Sequence, residues 1–118
     1  MLKTRYLNMS KLIDTAVSHF SNKEIRELHV PEWDVTLYSK NLTLEDKAKF
    51  LKRAQDDTTD YMVYSVIFGV TDKEGEPVFD IGDRVKLRNH VDPEVLSQIA
   101  NFVLDVGATT KEEREKNS

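Results

Sequence analysis

The sequence predicts an α+β, mostly helical fold: a small single domain with an N-terminal β-hairpin packed against several helices. Three observations support this class. Apolar residues recur at helical spacing in several segments. From the single tryptophan, Trp33, residues alternate between the two faces of a predicted strand. Asp92-Pro93-Glu94 is a strong helix start. A chain of 118 residues suits one domain with one core, which buries about two-thirds of the unfolded surface.

The first predicted helix is short and amphipathic and ends at Ser21-Asn22. Its apolar residues at helical spacing are Leu12, Ile13, Ala16, Val17 and Phe20. A β-hairpin follows, with strands over Glu24–Val30 and Trp33–Tyr38. In the second strand, Trp33, Val35 and Leu37 are expected to face one way. Pro31 lacks a backbone N–H and therefore belongs in the connection or on an edge.

The second predicted helix begins at Thr43, an N-cap with Asp46 three residues later in a weak form of the capping box. Its expected apolar stripe is Leu44, Ala48, Leu51 and Ala54. Glu45 and Lys49 have the spacing of an i, i+4 ion pair.

The next element, Tyr61–Gly69, is ambiguous from its residues. Met62, Val66 and Gly69 have helical spacing, whereas the β-branched and aromatic content favours a strand. The preceding acids, Asp56, Asp57 and Asp60, lack the spacing of a calcium loop, so they are expected to cap a helix.

The C-terminal part contains a turn and two helices. Asp72-Lys73-Glu74-Gly75 predicts the turn, and Pro77-Val78-Phe79 leaves it extended. Asp80 is expected to cap a short helix through Val85 and Leu87. The last helix follows Asp92, has the strongest apolar stripe in the chain through Val106, and is expected to stop at Gly107.

We therefore divide the chain into an N-terminal extension, residues 1–9, taken as non-native or disordered; one domain, residues 10–107; and a disordered polar tail, residues 108–118. Met9-Ser10-Lys11 has the character of an ordinary N-terminus, and the tail from Thr109 to Ser118 has no apolar residue.

The composition favours binding over catalysis. The chain has no cysteine, its three histidines are scattered, and its four glycines form no phosphate loop. We therefore predict no catalytic, cofactor-binding or metal-binding residues. The net charge of −4 argues against a nucleic-acid partner, and no apolar run approaches the roughly 20 residues of a membrane helix.

Two aromatic residues are candidates for contact with a partner. Trp33 beside Pro31 and Glu32 has the character of an interface anchor, although a core role for the ring is the more common alternative. Phe79 follows a turn and presents the same two alternatives. Pro31, Glu32, Trp33 and Phe79 are the predicted partner-binding residues.

The predicted partner-binding residues lie in two sequence signatures, VPEWDV at Val30–Val35 and TDKEGEPVFD at Thr71–Asp80. In this order and at this separation they resemble the small tail assembly chaperones of long-tailed, lambda-like and HK97-like phages, over roughly Lys11 to Val106. Asp34 and Tyr38 depart from the family pattern, which has a glycine and a basic residue there. The resemblance favours a helix for Tyr61–Gly69.

The resemblance implies a non-enzymatic chaperone that binds the tape-measure protein, keeps it soluble and helps recruit tail-tube subunits. It also implies a homo-oligomer in the host cytoplasm that is absent from the mature virion, and a frameshifted longer form that engages the tail-tube protein.

Two alternatives remain open at the level of sequence. One is a structural virion component, such as a head-tail connector or tail-tube accessory. The other is a small nucleic-acid-binding regulator that uses Arg84, Lys86 and Arg88.

Overall fold

The computed structural model of the protein describes residues 11–105, and the mixed, mostly helical class is confirmed there. The helices are α1 (Leu12–Ser21), α2 (Leu44–Ala54), α3 (Thr58–Gly69), α4 (Arg84–Asn89) and α5 (Pro93–Leu104). The strands are β1 (Arg26–Val30), β2 (Val35–Ser39) and β3 (Val70–Thr71), and short 3-10 turns span Pro31–Trp33 and Ile81–Asp83. The residues assigned to the N-terminal extension, Gly107 and the polar tail lie outside the described range.

The predicted hairpin is formed by β1 and β2, which pair antiparallel from Arg26 opposite Ser39 to Val30 opposite Val35. The expected start of the second strand was wrong, because Pro31 begins a 3-10 turn that includes Trp33. Asp34 then adopts the left-handed conformation at φ 51°, which Asp tolerates better than most residues. Of the expected inner face, Leu37 is buried and Val35, at the turn end, remains exposed.

A third strand was not predicted. β3 continues directly from the end of α3 and pairs antiparallel with β2, so the sheet has the order β1-β2-β3. Two residues are too few for period-2 alternation to be recognised, and only the arrival of α3 beside β2 brings Val70 opposite Ser39.

The central helix is α3, which confirms the helical interpretation of Tyr61–Gly69. It packs against α2, α4 and α5. Its buried residues are Val63, Ser65, Val66, Ile67 and Gly69. Burial on several sides removes the polar face that marks an amphipathic helix, which explains the ambiguous pattern. The buried Ser65 hydroxyl donates to the carbonyl of Tyr61 at 2.6 Å.

The capping box of α2 is confirmed. The Asp46 backbone N–H donates to the Thr43 hydroxyl at 3.1 Å, and the Thr43 N–H donates to the Asp46 carboxylate at 3.0 Å. The predicted pair of Glu45 and Lys49 also forms, at 3.8 Å on the exposed surface.

The apolar stripe expected for α2 was largely wrong. Leu44 is 86% exposed and Leu51 42% exposed, whereas Phe50 and Ala54 are buried. The Phe50 ring stacks on Phe68 of α3 at 5.7 Å between centroids. This contact turns the helix so that Leu51, which lies about 100° further around the axis, faces outward.

Helix α5 follows the prediction at its start and along its stripe. The Asp92 side chain accepts the N–H of Glu94 at 2.9 Å, and Pro93 occupies the first turn. The buried residues are Val95, Leu96, Ile99, Ala100, Val103 and Leu104. The expected end was wrong, because the helix ends at Leu104 and Asp105 takes the left-handed capping conformation at φ 57°.

Two cations from distant parts of the chain bind the C-terminal carbonyls of α5. Arg26 donates to the carbonyls of Phe102 at 2.7 Å and Val103 at 3.2 Å, and Lys47 donates to that of Leu104 at 2.8 Å. These carbonyls lack partners within the helix and carry the negative end of its dipole. The two contacts therefore join β1 and α2 to the end of α5.

A second set of charges joins α3 to α4. Arg84 contacts the Asp60 carboxylate at 3.0 Å, and Arg88 contacts Asp60 at 2.7 Å and Asp57 at 3.4 Å. Asp57 is also the N-cap of α3, as the sequence predicted for this acidic run. The backbone N–H of Asp60, and after it the Arg88 side chain, lower the pKa of Asp57 below its usual 3.8.

The helix α1 forms as predicted but buries none of its residues. Leu12, Ile13 and Val17 are 58%, 70% and 58% exposed. Its apolar face is therefore unpartnered within the described chain. No helix among residues 11–105 has the length and apolar character required to cross a membrane.

Gly69 is required by close packing between α3 and α5. A Cβ at this position would overlap the Val103 side chain. We expect Gly69→Ala to lower the free energy of unfolding by about 1–3 kcal/mol, because overpacking outweighs the better helix propensity of Ala. Urea unfolding measures the change. In a Val103→Ala background the same substitution is expected to be neutral or stabilising, and an equal cost in both backgrounds would contradict the overlap.

Arg26→Met is expected to lower the free energy of unfolding by about 2–3 kcal/mol, because charge-assisted hydrogen bonds to two α5 carbonyls are lost. Lys49→Met is the control, since its exposed ion pair is worth less than about 1 kcal/mol. Thermal unfolding of both variants tests the difference, and equal stabilities would contradict the role of Arg26.

Asp57→Asn keeps an N-cap side chain and removes the charge that faces Arg88. Because the pKa of Asp57 is lowered in the folded state, its stabilisation is complete above about pH 3.8 and is lost as pH falls through the folded-state pKa. We therefore expect the variant to be less stable than the parent at pH 7 and the difference to shrink below pH 3.8.

Urea midpoints at pH 7, 5 and 3 measure this dependence. Glu32→Gln is the control, because Glu32 is exposed and makes no ion pair within residues 11–105. A stability difference for Asp57→Asn that stays constant down to pH 3 would contradict the assignment.

Candidate partner-binding groove

A groove of about 1060 Å³ lies between α2, α3 and the segment 77–82. It is lined by Lys40, Asp46, Lys49, Phe50, Arg53, Ile67, Phe68, Pro77, Val78, Phe79, Asp80, Ile81 and Gly82. Its volume slightly exceeds the range of about 300–1,000 Å³ for small-molecule pockets. We call it the α2–α3 groove.

The floor of the α2–α3 groove is aromatic. Phe50 and Phe68 line it and stack at 5.7 Å between ring centroids, and Tyr64, outside the groove lining, stacks on the Phe68 ring at 6.1 Å. Tyr64 and Phe68 are four residues apart and therefore share one face of α3. Phe50 and Ile67 are buried beneath the opening, so the floor is fixed by the core.

One wall is the segment after the 72–75 turn. The Asp72 carboxylate accepts the N–H groups of Glu74 at 2.9 Å and Glu76 at 3.0 Å, and Gly75 has a φ of 87°. This turn brings Pro77 into an antiparallel bridge with Thr71. The chain then presents Val78, 40% exposed, and Ile81, 49% exposed, to the groove.

The other wall carries cations. Lys49 and Arg53 of α2 line it, and Lys40 also lines the groove. The Arg53 guanidinium lies over the rings of Tyr64 at 5.7 Å and Phe68 at 5.3 Å, a cation–π arrangement. The wall thus combines positive charge with an adjoining apolar surface.

Two acids also line the groove, Asp46 and Asp80. The backbone N–H of Thr43, which donates to its carboxylate, lowers the pKa of Asp46 below its usual range. Asp46 is therefore ionised at neutral pH and engaged with its own helix start.

The structure separates the four predicted partner-binding residues. Phe79 is half-buried and lines the α2–α3 groove. Pro31, Glu32 and Trp33 form the hairpin connection and are absent from the groove lining. Pro31 and Glu32 are exposed, whereas Trp33 packs partly against the core. Their role in binding stays a prediction.

The sequence interpretation missed Arg53, Phe50 and Phe68 as groove residues. The expected stripe of α2 placed Leu51 inward, which directed attention away from Phe50. The i, i+4 spacing of Tyr64 and Phe68 was a usable signal for an aromatic face once the segment was taken as a helix.

The part of the chain that the structure describes does not support the metal-binding and nucleic-acid-binding alternatives considered from the sequence. Within residues 11–105, no three His, Asp or Glu side chains come together as a metal-ligand set. Arg84 and Arg88, from the basic strip considered for nucleic acid, are engaged by Asp57 and Asp60. Arg53 and Lys40 make no ion pair in this same part of the chain.

The fold has a counterpart among solved structures. No protein-family model matches the chain, and no curated protein matches it. The structure of the bacteriophage HK97 tail assembly chaperone matches with a TM-score of 0.51 at 20% sequence identity. The match covers 70% of this chain and 83% of that chain. The chain therefore shares its fold with the HK97 tail assembly chaperone, which confirms the resemblance predicted from the two signatures.

Proposed function

We propose that this protein is a non-enzymatic phage tail assembly chaperone that binds the tape-measure protein, keeps it soluble and helps recruit tail-tube subunits. The observation that carries the proposal is the shared fold with the HK97 tail assembly chaperone over most of that chain. Binding takes place in the host cytoplasm, and the protein leaves before the virion is mature.

The α2–α3 groove is the surface that we propose for binding the tape-measure protein. Its aromatic floor and the exposed Val78 and Ile81 suit the apolar face of an amphipathic helix. Covering that face masks it from self-association, which is the physical task of a chaperone for a long helical protein.

Self-association of the chaperone would extend this effect. The apolar face of α1, with Leu12, Ile13 and Val17 exposed, supports a homo-oligomer because it has no partner within the described chain. Several weak sites along one tape-measure protein give a much higher total affinity than one site. Contact with the tail-tube protein through a frameshifted longer form completes the proposal.

The proposal is tested by co-expression with the tape-measure protein of the same genome, followed by affinity capture and light scattering. We expect a soluble complex with the parent chain and loss of capture with Ile81→Glu, which places a charge in the apolar wall. Leu44→Glu is the control, because Leu44 is 86% exposed and lies outside the groove.

A tape-measure protein that is soluble alone and is not captured would contradict the proposal. Mass spectrometry of purified virions provides a second check. Stoichiometric recovery of the protein from virions would favour the structural virion component instead, whereas its absence supports a chaperone that is released.

A further inference from the structure

The charges of the α2–α3 groove contrast with those of the whole protein. The chain has a net charge of −4, yet three cations and two acids line the groove. One of the acids, Asp46, is engaged by the backbone N–H of Thr43. Lys49 also pairs with Glu45 at 3.8 Å, so Lys40 and Arg53 are the lining cations without a carboxylate partner within residues 11–105.

Arg53 differs from the other arginines of residues 11–105. Arg26 contacts Asp105 at 3.7 Å, and Arg84 and Arg88 contact Asp60 at 3.0 and 2.7 Å. Arg53 has no carboxylate partner in this range. An acidic protein that pairs its other described arginines has thus left one unpaired, at the edge of its apolar groove.

The side chain of Arg53 is also positioned before any ligand arrives. Its guanidinium lies 5.3 Å from the centroid of Phe68 and 5.7 Å from that of Tyr64. Contact with the rings restricts the side chain, which reduces the entropy lost on binding. A guanidinium carries five N–H donors in a plane and binds a carboxylate through two of them.

Resting on the proposed function, we propose that the α2–α3 groove recognises amphipathic helical segments of the tape-measure protein that carry an Asp or Glu within one turn of their apolar anchors. The anchors occupy the space between Phe68, Val78 and Ile81, and the carboxylate binds Arg53. Lys40, which also lines the groove, adds positive potential. Arg53 is then a specificity residue, and the apolar surfaces supply the remaining affinity.

A protein helix fits these observations better than the alternatives. A nucleic-acid strand would gain little from the aliphatic wall at Val78 and Ile81. The apolar face of α1 from a second copy also carries an acid, Asp14, and it is the alternative occupant that the self-association measurement below tests. Charge complementarity therefore favours an acidic amphipathic segment.

The test uses overlapping peptides tiled over the tape-measure protein of the same genome, with binding to the full chain measured by fluorescence anisotropy. We expect the bound peptides to share an acid within one turn of apolar residues. Arg53→Met keeps an apolar stem on the rings and is expected to weaken binding about ten- to hundredfold. Arg53→Lys is expected to restore it partly, because the charge remains without the planar donor pair.

Lys52→Met is the matched control, since Lys52 neighbours Arg53 on α2 but lies outside the groove lining, and a change below about twofold is expected. Raising the salt concentration should weaken the parent more than Arg53→Met. Replacing the peptide acid by Arg should abolish binding to the parent and be rescued by Arg53→Glu.

Three results would overturn this inference. Parent-like binding by Arg53→Met, together with loss of binding by Ile81→Glu, would leave the groove as a binding site without acid recognition, and the proposed function would stand. Parent-like binding by both variants, with the tape-measure protein still captured, would place that contact outside the groove. If the parent binds no peptide, and both Arg53→Met and Ile81→Glu abolish self-association of the protein, the occupant of the groove is a second copy of this chain.

Discussion

The structure depends on the burial of α3 between the other elements. The helix contacts α2, α4 and α5, and its last residue leads directly into β3, which pairs with the hairpin. The close approach of α5 needs the absence of a side chain at Gly69. Because each neighbour packs on a different side, the position of α3 determines where α2 and the segment 77–82 stand, and so determines the groove between them.

Charged side chains hold the outer elements to this centre. Arg26 and Lys47 bind the carbonyls at the end of α5, while Arg84 and Arg88 join α4 to the start of α3 through Asp60. These contacts satisfy helix ends and carboxylates that would otherwise need water. Most arginines of the described chain are engaged in these contacts. Arg53 alone among them remains available for a ligand, which links the internal electrostatics to the proposed binding surface.

The proposed function follows from the way a stable core supports an incompletely covered surface. Phe50 and Ile67 are buried, and Phe68, Val78 and Ile81 extend that apolar surface toward solvent. The polar turn at Asp72–Gly75 positions the outer wall through hydrogen bonds to the Asp72 carboxylate, and Phe79 packs that wall against the core. A wall held in this way leaves its apolar side chains free to contact a partner helix.

The sequence by itself determined the elements whose signals are local. The Thr43–Asp46 capping box, the Asp57 and Asp92 caps, the Gly75 turn and the α5 stripe are set by neighbouring residues, and the structure confirms them. Phe79 was the groove residue recognised from sequence. Only the tertiary structure decided that α2 turns Phe50 inward and that Val70 pairs with Ser39. Among residues 11–105, it also decided that α1 stays uncovered and that Arg53 lacks a carboxylate partner. Each of these features depends on residues that are distant in sequence. Local spacing carries no information about which distant side chain will make the contact.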